Sequence, residues 1–140
     1  MIKMKNTLLL VVLLMVSSTT AYSQYRLGHT YEEVKKEVMN CSSCTFEESE
    51  GGPHINKVIS VKTSGILIGY FFVEDICVIT AISTFTNNVY ASTIIRSLED
   101  NYIKLSSRKY IKYDNYFDIS VEIEYDGIFG TQILYKATIR

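Results

Sequence analysis

From Ile55 to Phe85 the chain carries apolar, β-branched residues at a spacing of two, broken at Thr63, Ser64, Gly65 and again at Glu74, Asp75. On a helix that spacing would leave much of the apolar surface in water, so the run pairs as antiparallel strands joined by short turns. Three strands are expected: Ile55 to Lys62, Ile66 to Val73 and Ile76 to Phe85. The middle one is apolar on both faces. That marks a central strand, covered by helices on one side and by something else on the other.

Helical signals flank this run. Thr30 and Glu33 fit a capping box, with Tyr31, Val34 and Val38 on one face of a helix from about Tyr31 to Asn40. The stretch from Cys41 to Gly52, with Glu47, Glu48 and Glu50, reads as a loop or a frayed strand. Asn87 or Asn88 can cap a second helix in which Ala91, Ile94, Ile95, Leu98 and Tyr102 form a stripe. After Lys104 the period returns to two. Arg108 to Tyr113 is the first strand of a second set. In the next, Phe117, Ile119, Val121, Ile123 and Tyr125 oppose Asp118, Ser120, Glu122 and Glu124. Asp126 and Gly127 favour a hairpin turn into a last strand bearing Phe129, Ile133, Tyr135, Ala137 and Ile139. The expected fold is an α+β two-layer sandwich, helix-three strands-helix-three strands, with the helices on one face of a mainly antiparallel sheet.

The start of the chain has a different role. Lys3 and Lys5 precede the unbroken apolar stretch Leu8 to Val16, which is followed by small and polar residues through Ser23. This is the pattern of a secretory signal peptide, with Ala21 and Ser23 where a peptidase reads and cleavage before Gln24. Nine apolar residues make a helix of about 14 Å, too short for a hydrocarbon core of roughly 30 Å. Residues 24–140 are then a single exported domain, periplasmic or secreted, with no stable membrane anchor. Without Lys3 and Lys5, 12 basic side chains remain against 15 acidic ones. That balance, with 47% hydrophobic residues and a single Pro, excludes disordered and collagen-like chains and argues against a nucleic-acid partner.

Gly28, Thr30 and Val34 form a G-x-T-x-x-x-V opening. It resembles the start of small helix-plus-antiparallel-sheet proteins of the bacterial envelope, among them the SmpA-type outer-membrane assembly lipoproteins and the β-lactamase-inhibitor proteins. The resemblance covers about a dozen residues around the first helix, and the lipobox Cys of the lipoproteins is absent. It implies a protein that works by docking other proteins, with no catalytic residues to carry over.

The residues that could carry chemistry are few. Cys41 and Cys44 form a C-x-x-C pair, and Cys77 is the third cysteine. In an exported chain a structural disulfide is the leading reading, with three pairings open. A redox dithiol is the alternative, but the pair follows a helix, whose C-terminal dipole disfavours a thiolate. Zinc on Cys41, Cys44, His54 and Cys77 has half a signature. His29 and His54 lie in loop contexts, and no G-x-S-x-G, H-E-x-x-H, phosphate loop or calcium loop occurs. No cofactor or metal is expected.

Lys104, Arg108, Lys109 and Lys112 interleave with Tyr102, Tyr110, Tyr113 and Tyr116. Tyr and Arg supply large contact area with one polar handle, so Tyr102, Arg108, Tyr110, Lys112, Tyr113 and Tyr116 are the candidate contact surface on a half-wet sheet. The Glu47, Glu48, Glu50 segment is a second, charge-based candidate. Three functions are carried forward: a small exported module that docks a protein, as an inhibitor, immunity-type or envelope-assembly protein does; a thiol-disulfide protein using Cys41 and Cys44; and a small-ligand carrier with a cavity between helices and sheet.

Overall fold

Thr30 starts the first helix as the sequence requires. Its backbone is extended, and its hydroxyl accepts the Glu33 N–H at 3.2 Å and donates to the Glu33 carboxylate at 3.1 Å. The computed structural model describes residues 25–85, 88–127 and 130–139. The proposed leader, residues 1–23, therefore lies outside the described residues, as do Asn87 and Phe129. In chain order the elements are α1 (Tyr31–Met39), β1 (Thr45–Glu50), β2 (Lys57–Thr63), β3 (Ile66–Val73), β4 (Ile76–Ser83), α2 (Asn88–Asn101), β5 (Ile103–Ser106), β6 (Lys109–Tyr113), β7 (Phe117–Gly127) and β8 (Gly130–Ile139).

The expected α+β two-layer sandwich of helix-three strands-helix-three strands does not form. One eight-stranded antiparallel sheet dominates, in the order β1-β2-β3-β4-β8-β7-β6-β5, with two short helices beside it. Each set of strands gains one member, β1 and β5, and β4 pairs with β8 to fuse the sets. Helices of 9 and 14 residues span about 14 and 21 Å, whereas eight strands span about 34 Å, so the helices are patches on a sheet rather than a layer.

Of the two added strands, β1 is the frayed-strand alternative of the Cys41 to Gly52 stretch, and β5 has no strand signal of its own. β1 is rich in Glu, a weak strand former, but pairs with β2 along its whole length, from Thr45 opposite Lys62 to Glu50 opposite Lys57. Lysines facing the acidic strand supply what propensity withholds. β5 is four residues long and begins one residue after the Tyr102 that ends the helical stripe. The second-set hairpin also moves: Gly127 pairs with Gly130, so the connection falls two residues beyond the expected Asp126 and Gly127. Gly130 is at φ +77°, and a Cβ there would lie 2.2 Å from the Phe85 carbonyl oxygen.

One cross-strand row shows where the core sits. Glu48, Ile59, Tyr70, Thr80, Tyr135, Val121, Tyr110 and Lys104 are successive partners across all eight strands. From Ile59 to Tyr110 every member is buried. Two residues along β3 from Tyr70, Phe72 takes the edge of the Tyr31 ring of α1 at 5.1 Å. Tyr135 meets Tyr25 at 5.2 Å and Tyr102, just past α2, at 6.4 Å. Val34 and Val38 of α1, and Ile94 and Leu98 of α2, complete this core. Both helices therefore serve the same face of the sheet.

Candidate functional site: the open face and outer strands

Because side chains alternate, the residues between those core positions point the other way. The adjacent row reads Glu47, Ser60, Gly69, Ala81, Leu134, Glu122, Lys109 and Ser106, and the row beyond it Ser49, Val58, Phe71, Ile79, Lys136, Ser120, Ile111 and Ile103. On β2, β3, β4 and β8 this face is mostly apolar: Val58, Leu67, Phe71, Ile79, Ala81 and Leu134. Leu67 and Leu134 are 38% and 39% exposed. No helix among the described residues packs here. Antiparallel sheets usually turn a polar face to water, so this apolar centre is the unusual feature of the molecule. Ser60 and Ala81 are small and leave the floor low beside them, whereas the Phe71 ring lies over Gly69. Two shallow depressions of about 290 and 260 Å³ result, one bounded by Ser83, Glu122, Glu124, Gln132 and Leu134, the other by Thr45, Glu47, Ser60, Lys62 and Leu67.

The six residues expected to form one contact surface are split between interior and surface. Tyr110 is 1% exposed and donates its hydroxyl to the Glu99 carboxylate at 2.7 Å. Tyr102 is buried, with the Lys112 ammonium 5.5 Å above its ring. Arg108 is exposed, and Tyr113 and Tyr116 are 59% and 78% exposed. What remains outside is a rim of Arg108, Tyr113 and Tyr116 at the β5–β6 side of the sheet. Sequence reasoning missed Leu67, Phe71, Ile79 and Leu134 as surface residues. The signal was present, in a β3 that is apolar on both faces.

The Glu47, Glu48, Glu50 segment is β1 itself. Glu48 accepts a hydrogen bond from the Tyr31 hydroxyl and pairs with Lys35 at 3.0 Å. These partners hold its carboxyl below the usual range, while burial and the neighbouring carboxylate push the Tyr31 phenol up to about 12. The far side repeats the device. Glu99 is held low by the Tyr110 hydroxyl and by Lys104 at 2.9 Å, and burial raises the Tyr110 phenol.

Cys41 and Cys44 form a disulfide with Cα atoms 5.4 Å apart, in the turn after α1. Cys77 is a free thiol with no exposure, 3.6 Å from the Ile79 carbonyl and the Thr80 hydroxyl, and burial pushes it up to about 11. The four residues weighed for zinc are therefore not gathered, and no metal-binding group of His, Cys, Asp and Glu exists among the described residues.

Gly28, Thr30 and Val34 each have a defined task. Gly28 sits at φ +83° with a Phe117 ring carbon 3.0 Å from where a Cβ would be, and its N–H donates to the Cys77 carbonyl at 2.8 Å. Thr30 caps the helix and Val34 enters the core. The motif is thus a device for seating α1 on the start of β4. No protein-family model matches this chain, and no curated protein or solved structure matches it.

Proposed function

We propose that this protein is a small exported binding module that works by docking another protein against the open face of its sheet. The carrying observation is the uncovered apolar centre formed by Leu67, Phe71, Ile79, Ala81 and Leu134. Burying such a patch is favourable at about 25 cal/mol per Å². The polar surround of Glu47, Lys62, Glu122, Glu124 and Lys136 gives a partner its orientation, and Tyr113 extends the surface toward β5. The leader-like pattern of residues 1–23 supports a meeting in the periplasm or outside the cell, and the G-x-T-x-x-x-V resemblance to envelope docking proteins supports the same reading.

The test is retention of proteins from the host envelope fraction by immobilised wild-type protein and by a Leu67→Lys, Leu134→Lys double variant. Retention by the wild type that the variant loses is expected. Retention of the same proteins by both, or of none by the wild type at micromolar bait, overturns the reading.

A further inference from the structure

The outer strands of the sheet are opposite in charge. β1 holds Glu47, Glu48 and Glu50 and no base, whereas β5 through β6 holds Lys104, Arg108, Lys109 and Lys112 and no acid. Further in, the sign reverses at each side: β2, beside β1, carries Lys57 and Lys62, and β7, beside the basic β6, carries Asp118, Glu122 and Glu124. Glu48 and Lys104 already hold ion pairs. Glu47, Glu50, Arg108 and Lys109 hold none among the described residues.

Strand direction adds a second, independent constraint. All seven pairings are antiparallel, so the two outer strands of the eight run in opposite directions. A second copy shifted sideways, with its helices on the same face, lays its β1 antiparallel beside β5. The charge sequence then continues as base, acid, base across the joint. Two β1 edges would instead set acids against acids, and two β5 edges would bring the basic β5–β6 hairpins together. Each edge is guarded against its own kind and matched to the other.

We propose that copies of this protein join edge to edge, β5 of one to β1 of the next, extending the eight-stranded sheet head to tail. Ile103 and Leu105 of β5, each 54% exposed, are the apolar surface such a joint shields. The contact is heterologous, so it builds an open row or a ring and not a two-fold dimer. A joint of four to six residues is far smaller than a standard interface, which makes association weak and salt-sensitive. It leaves the open face uncovered and does not rest on the docking reading.

Sedimentation or light scattering of the purified protein over a concentration series tests this. At about 0.01 M ionic strength, where charges act over roughly 30 Å, the weight-average mass should rise roughly twofold or more, and at about 1 M it should stay monomeric. A wild type that remains monomeric at low salt overturns the proposal without any variant. Glu47→Lys with Glu50→Lys makes both edges basic, and Arg108→Glu with Lys109→Glu cancels the net positive charge of the second edge. Each variant alone should be monomeric, and their equimolar mixture should assemble again. Assembly by either variant alone, or a mixture that stays monomeric, overturns it.

Discussion

The two faces of this sheet use neighbouring residues of similar kind and differ in what covers them. Tyr70 and Phe72 of β3 lie under α1 and the Tyr25 segment, while Gly69 and Phe71, one step along the same strand, face outward. An apolar strand position is therefore not automatically a core position. Its stabilising value depends on the element that lies over it, and an uncovered one stays available to something outside the chain.

The largest expected contrast is between adjacent phenylalanines. Phe72→Ala should lower the unfolding free energy by about 4 kcal/mol, and Phe71→Ala by about 1 kcal/mol, in urea titrations. Equal costs would mean that both faces are packed. A second contrast is in alkali. The Cys77 thiol ionises near 9.0 when unfolded and near 11 when folded, so its contribution is constant below pH 9 and is lost between pH 9 and 11. That loss is about 3 kcal/mol at about 1.4 kcal/mol per unit. The phenols of Tyr25, Tyr70, Tyr102 and Tyr135, all raised by burial, extend it above pH 10.0. Urea midpoints at stepped pH should fall through this window, and a flat profile to pH 11 would contradict a sealed face.

Within the covered face two tyrosines of one row should diverge. Tyr110→Phe gives up the bond to Glu99 and should cost about 1 kcal/mol. The Tyr135 hydroxyl is buried with no hydrogen-bond partner among the described residues, so Tyr135→Phe should be neutral or raise the melting temperature. The smallest effect concerns the β3–β4 turn, which sets the register that assigns side chains to faces. Glu74 and Asp75 there adopt φ +48° and +71°, and Glu74→Gly should stabilise by about 0.5 kcal/mol in the same titration.

Much of this was legible from the residues. The period-two run placed β3 at Ile66–Val73, and the alternation from Phe117 put Ile119, Val121 and Ile123 inside. The helical stripe put Ala91, Ile94, Leu98 and Tyr102 inside as well, with Ile95 at its margin. What alternation cannot say is which face of a strand meets the helices, because that depends on partners distant in sequence. Tyr110 looked wet beside Lys109 and Lys112, yet its row leads through Val121 to Tyr135 in the core. For β1 the residues leave a loop or a frayed strand open, and the strand is decided by lysine partners that lie on β2 across a loop. The cysteine pairing was open among three choices until the turn after α1 brought Cys41 and Cys44 together.

Cys77 gives the molecule a built-in clock. Two of its three cysteine sulfurs are bonded to each other, and the third has no solvent contact in the folded state. A maleimide added to the native protein can modify that third sulfur only when β4 is transiently exposed. The labelling rate therefore counts openings of the central sheet directly, without denaturant or an engineered probe.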